Sequence, residues 1–444
     1  MTSTELPRIS RRLPPLPGML DEMLDQALRA RRRRIMMANN ASLNLMALRV
    51  PDEALDQLVQ SAALYGQQAV AAADDLIGSL DGAAKDAAVF VRVALAVQLR
   101  DATLAQLAVR YLSDFPQAVR DACWFYPVTS GVLTDDNSHI VQLFNSADGA
   151  GQLRQFAVEM AGLRDVKSLH AQIADLLDNT ALSASAHIAL ARMGAATGAT
   201  RRFAHDSLAA GEPMHCATAM TLIGEDPSIA DNALLQLALP LDPAYVEQAW
   251  AIAIARDARA LANHAALRAD LAPPLRARIV ALTGFVDGVV EACAMMAQAD
   301  GPISAFEADI LQLTLGEVPV EARCAPNDKR AKSVALRAAL LRACRRAHLT
   351  LSNDADVCEW DLQAILAMPT QAASMRLRNG APIVMPVPAW DSALMEVSHG
   401  LRKWLYIERA ALAQHALPLS PFDVTRRQQS AMMVAAFSDE LSAI

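Results

Sequence analysis

The chain has 444 residues, a formal net charge of -8 and a composition that is 53% hydrophobic but only 5% aromatic. Its length exceeds one ordinary hydrophobic core unless the chain is a repeat array, and its acidic balance argues against broad nucleic-acid binding through phosphates. Residues 1–17 carry Pro7, Pro14, Pro15 and Pro17 and no apolar core. This segment is expected to be an extended arm and not a secretory signal, so a cytoplasmic location is expected. The longest apolar runs fall short of a membrane span.

A helix is predicted from Gly18, with apolar positions at Met19, Leu20, Met23, Leu24 and Ala27. It ends in the run Arg29–Arg34, expected to be a solvated helix end paired with Asp21, Glu22 and Asp25. Binding of an acidic partner or phosphates is the functional alternative for that run. A second helix is predicted to start at Pro51-Asp52-Glu53 and to run through Leu55, Leu58, Val59 and Ala62. Residues 18–69 thus form an N-terminal helical cap.

Over 70–290 an Ala-rich apolar segment stops at Arg100, Gly131, Gly162, Gly194, Gly224, Arg256 and Gly284, in steps of about 28–32 residues. A fixed period of this length marks a solenoid or array. Each period holds two helices of about ten residues and two short turns. Turn signals fall between the marks, at Ser113-Asp114-Phe115-Pro116, Asp178-Asn179 and Gly211-Glu212-Pro213 among others. The glycine at each mark reads as a helix C′ residue in the left-handed conformation. At Arg100 and Arg256, Asp101 and Asp257 are expected to cap the next helix. Trp124 and Tyr126, just before Gly131, are expected in the core.

Beyond 290 the period blurs into an irregular helical region, 291–444. Residues 316–332 read as a loop, 333–349 and 359–367 as helices, and 379–390, with Pro382, Pro386 and Pro388, as an extended crossing. A long helix is predicted over 391–416 and a short one near 424–437. On the long helix Leu394, Val397, Leu401, Leu405, Glu408 and Leu412 fall on one line, so Glu408 interrupts an apolar stripe. A buried carboxylate needs a partner, such as Arg426 or Arg427, or serves a bound partner. On another face Arg402, Tyr406 and Arg409 line up, and Arg and Tyr are enriched at binding hot spots. Arg402, Tyr406, Glu408 and Arg409 are therefore the candidate partner-binding residues, against the alternative of a solvated face.

The fold expected is all-α: a right-handed α-solenoid, or superhelix, of HEAT-like helix pairs with non-repeat caps at both ends. Three regions together resemble a bacterial family of HEAT-like repeat proteins encoded in type VI secretion gene clusters. They are the first helix from Leu20 through Arg34 with Leu43–Leu48, the array, and an end segment. That end comprises Arg378-Asn379-Gly380-Ala381-Pro382-Ile383, then Ser398–Ala410, then Pro421–Gln428. The stretch Pro302–Gly316 departs from the family pattern. The resemblance implies an adaptor or chaperone for an effector, spike or tip component, with a protein partner. Alternatives are an immunity protein against a neighbouring toxin and a HEAT-like enzyme acting on a modified base or pigment.

Catalytic motifs are not found: H-E-x-x-H, G-x-S-x-G and the phosphate-binding loop are missing. His205-Asp206 and His215-Cys216 are the nearest pairs, and neighbours on a helix point apart. Asp135-Asp136-Asn137 lacks the downstream Gly and Glu of a calcium loop. The six cysteines form no C-x-x-C pair and read as free thiols. No catalytic residue, metal site or cofactor is expected.

Overall fold

The computed structural model describes residues 18–38, 45–126, 128–129, 132–133, 137–146, 151–210, 280–320, 322, 327–352, 360–373, 375–382 and 425. These residues are overwhelmingly helical, with two two-residue hairpins, in accord with an all-α class. The chain divides into two compact units. The first holds Met1–Met36 and Val50–Ala157, the second Met37–Arg49 and Val158–Ile444.

In the first unit α1 spans Met19–Ala38, four residues past the arginine run. Helix α2 spans Leu45–Ala63, so Pro51 lies inside it and does not open it as expected. A proline there removes one internal hydrogen bond. Burial of Pro51 and of Asp52, which pairs with α1, accompanies that loss. Four helices follow: α3 at Gln67–Ser79, α4 at Gly82–Leu99, α5 at Leu104–Tyr111 and α6 at Pro116–Phe125. The predicted turn at Ser113–Pro116 falls between α5 and α6. A hairpin of β1 (Val128–Thr129) and β2 (Val132–Leu133) precedes α7 (Ser138–Ser146).

Helix α4 is the centre of this unit. Every residue from Ala87 to Val97 is buried, because α3, α5 and α6 all pack on it. A helix that is apolar all round belongs in a core. Packing skips along the chain, α4 against α6 and α5 against α7. Phe90 meets Phe125 and Tyr126 edge-on, with centroids 6.2 and 6.3 Å apart. Trp124 and Tyr126 are buried, as expected.

Helix α8 spans Gln152–Leu163. The second unit continues with a 3₁₀ turn at Lys167–Leu169, α9 (His170–Ala174), α10 (Ser183–Arg192) and α11 (Gly198–Ala210). Four of the seven marks are described. At Arg100 (φ 53°) and Gly194 (φ 64°) the left-handed C′ residue is present. Asp101 N–H donates to the Ala96 carbonyl and Ala195 N–H to that of Leu190, the long bond of a Schellman end. Gly284 is also left-handed, at φ 84°. Gly162 is a correction: it lies inside α8, whose left-handed end residue is Asp165 (φ 48°). Asp101 accepts from the Thr103 amide at 2.9 Å, a turn before α5 and not a cap inside it.

After the undescribed 211–279, α12 spans Val286–Gln298, α13 Ala305–Leu315, α14 Lys329–Arg346 and α15 Leu362–Ile365. Ser304 and Glu307 form a complete capping box on α13. Helix α14 starts four residues ahead of the expected 333, because Asp328 accepts from the Ala331 amide and caps it there. The loop before it is correspondingly shorter than the expected 316–332. The start of the expected crossing at 379–390 is instead a hairpin. Leu377–Arg378 (β3) pairs with Ala381–Pro382 (β4) through a turn with both Asn379 and Gly380 at positive φ.

Candidate interaction groove

Two arrangements of charged side chains organise the described residues, one buried and one lining a groove. The buried one corrects the expectation of a solvated arginine run. Arg29 does pair with Asp25 one turn back at the surface, but Arg31 and Arg34 turn inward. Arg31 is 0% exposed, pairs with Asp121 of α6, and lies 4.3 Å above the Phe90 ring. Arg34 pairs with Asp52 of α2 and lies 4.3 Å above the Phe125 ring. Their spacing of three puts both on one face of α1. Burial lowers the pKa of Arg31, against the raising effect of Asp121. Its Nε and Nη1 have no hydrogen-bond partner among the described residues. Burial also raises the Asp86 carboxyl and pushes the Tyr126 hydroxyl well up. Arg31, Arg34, Asp52 and Asp121 join α1, α2 and α6 in the core, with Asp86 of α4 half-buried beside them.

The groove lies in the second unit, on α14. One face of α14 is core: Leu336, Ala339, Leu340, Ala343 and Cys344 are buried against α12. Two cations on that face cap helix ends. Lys332 Nζ donates to the Ala299 and Gly301 carbonyls after α12, and buried Arg337 donates to the Ala364 carbonyl. At the end of α14, Arg346 donates to the Leu315 carbonyl at 2.9 Å and to that of Gly380 at 2.8 Å. This ties the end of α13 to the hairpin turn, where Gly380 has no room for a side chain beside Arg346.

The opposite face of α14 carries Arg330, Ala331, Val334, Ala335, Ala338 and Arg342. With Glu317, Val318, Pro319 and Val320 it encloses a groove of about 720 Å³. The loop reaches this position because Gly316 (φ 78°) ends α13 and Glu317 takes Arg342 at 2.8 Å. Val320 is 67% and Val334 39% exposed, so no described residue covers the floor. The groove is apolar along its floor and charged at its rim.

The sequence-predicted residues Arg402, Tyr406, Glu408 and Arg409, with the proposed partners Arg426 and Arg427, lie outside the described residues. So do His215 and Cys216, and the His205 side chain is likewise undescribed. Cys123, Cys293 and Cys344 are free and buried, and burial pushes each thiol up to about 12. Among the described residues no three His, Cys, Asp or Glu side chains converge as a metal site. No helix among them is long and apolar enough to cross a membrane. Sequence reasoning missed the groove. Its signal was available in Val334, an apolar residue with no place in the buried spacing of α14, and in Val318-Pro319-Val320 within a polar loop.

No family model, curated protein or solved structure matches the chain.

Proposed function

We propose that the protein is a non-catalytic interaction scaffold, an α-solenoid of HEAT-like helix pairs. In this reading it acts as an adaptor or chaperone for an effector or spike component of a type VI secretion apparatus. The observation that carries the scaffold reading is packing between alternate helices. Helix α4 lies on α6 and α5 on α7, and α8 approaches α10 so closely that Gly162 faces the backbone of Ala189. A helix laid on the next but one is how successive pairs stack, and stacked pairs offer long binding surfaces. The type VI setting comes from the resemblance of the first helix, the array and the end segment to that family.

The test is co-expression of the full chain with the effector, spike and tip proteins encoded beside it. One of them is expected to co-purify through gel filtration, and to be lost when Arg402, Tyr406 and Arg409 are replaced by alanine. If none binds and the chain instead rescues cells expressing a neighbouring toxin, the adaptor reading gives way to the immunity one.

A further inference from the structure

The groove on α14 has a charge pattern that specifies an occupant. The helix carries Lys329, Arg330, Lys332, Arg337, Arg342, Arg345 and Arg346 and no carboxylate, in a chain whose net charge is -8. Five of these cations are engaged. Lys332, Arg337 and Arg346 hold carbonyls, Lys329 pairs with Asp300 and Arg342 with Glu317. Arg330 and Arg345 are exposed and have no hydrogen-bond or ion-pair partner among the described residues. Arg330, Val334, Ala338, Arg342 and Arg345 follow one another at helical steps of four, four, four and three. Arg330 thus lines one end of the groove, and Arg345, on the same helix face just beyond Arg342 at the other end, lies about 22 Å from it along the axis at 1.5 Å per residue.

We propose that this groove docks an amphipathic helix of a partner protein that is acidic at both ends. Ala331, Ala335 and Ala338 keep the surface of α14 low, which lets a second helix axis approach to the usual 8–10 Å. Apolar side chains of that helix, at i, i+4 and i+7, cover Val320 and Val334. Carboxylates roughly four turns apart meet Arg330 and Arg345. Two carboxylates of the chain's own line the groove, and both are committed: Glu317 to Arg342, and Asp328 to the amide of Ala331. A second copy using the same patch would set arginine against arginine. A nucleic acid would leave the valine floor uncovered. The proposal rests on the interaction-scaffold reading but not on any type VI component.

The test titrates the full chain into a fluorescein-labelled 16-residue helical peptide with leucines on one seam and glutamates at both ends. Two control peptides have the seam scrambled or lysines at the ends, and a 20-base-pair duplex is a third control. Binding of the acidic peptide alone is expected. It should weaken at least tenfold in Val334→Glu and in Arg330→Glu/Arg345→Glu, and the second variant should now favour the lysine-ended peptide. All three positions are exposed, and the two variants report independently should either fail to fold. Equal binding of the scrambled peptide, or unchanged affinity in both variants, overturns the proposal. So does duplex binding through the same arginines, or self-association lost in Val334→Glu. Absence of a co-purifying secretion component bears on the adaptor reading alone.

Discussion

The Arg31 guanidinium is sandwiched between a charge and a ring: Asp121 pairs with it, and the face of Phe90 lies 4.3 Å away. These contacts fix α1 to α6 and α4. Breaking such a pair leaves a charge buried and uncompensated, which costs about 3–5 kcal/mol, whereas removing both charges costs far less. Asp121→Ala is therefore expected to lower stability by about 3 kcal/mol. Arg31→Leu/Asp121→Leu should cost clearly less than that single change. Urea midpoints of the two variants check this.

Asp86 lies near the same buried arginine, but burial and not that charge dominates its titration. Burial raises its carboxyl above the ordinary value of 3.8, an effect larger than the lowering by Arg31. Within the window from 3.8 up to the raised value the folded protein holds more protons than the unfolded one. Stability therefore falls as pH rises through that window. Asp86→Asn is expected to flatten this part of the stability–pH curve, read from urea midpoints at closely spaced pH values. A curve unchanged by the substitution would assign the slope to other groups.

Gly162 is required by contact and Gly194 by backbone. A Cβ at Gly162 would lie 2.6 Å from the Ala189 Cα, whereas one at Gly194 meets nothing within 4 Å. At Gly194 the cost of alanine is conformational, roughly 1 kcal/mol for the left-handed region. At Gly162 it is overpacking, about 1–3 kcal/mol. Hence Ala189→Gly should partly rescue Gly162→Ala and leave Gly194→Ala unimproved. Thermal unfolding of the four variants distinguishes the two mechanisms.

That contrast also marks how far the sequence could be read. The period of about 31 residues follows from spacing alone, and helix ends at Arg100, Gly194 and Gly284 fall on it. Gly162 keeps the spacing for a different physical reason, a close helix approach, and the letter G does not distinguish the two. The pairing of Arg31 with Asp121 joins residues 90 apart, so local spacing pointed to Asp21, Glu22 and Asp25 instead. The Asn379-Gly380 pair is a legible type I′ turn, but the prolines that follow it point toward an extended crossing. The groove depends on which face of α14 meets the core, and its weak amphipathicity hides that. Lysine and arginine occupy buried positions because carbonyls at helix ends receive them.

His348 follows the last turn of α14 at φ 56°, with Leu349 N–H bonded to the Cys344 carbonyl. A side chain is strained in this conformation, by roughly 1–2 kcal/mol. His348 is exposed and glycine relieves the strain, at some cost in unfolded-chain entropy. His348→Gly is expected to stabilise the protein by about 0.5–1 kcal/mol, seen as a raised urea midpoint with an unchanged slope.

Cys123, Cys293 and Cys344 are buried, and burial pushes each thiol up to about 12. The thiolate is the reactive form, so at pH 8 almost none of it is present at these sites. Local access is closed as well, because Cys293 and Cys344 lie in the shared core of α12 and α14. Alkylation at these three cysteines should therefore track unfolding and not reagent concentration. Iodoacetamide labelling mapped by mass spectrometry is expected to leave them unmodified at pH 8 in native buffer and to label all three in urea. Labelling of Cys344 in the folded chain would mean that α14 opens away from α12, and the groove on its far face would then move with it.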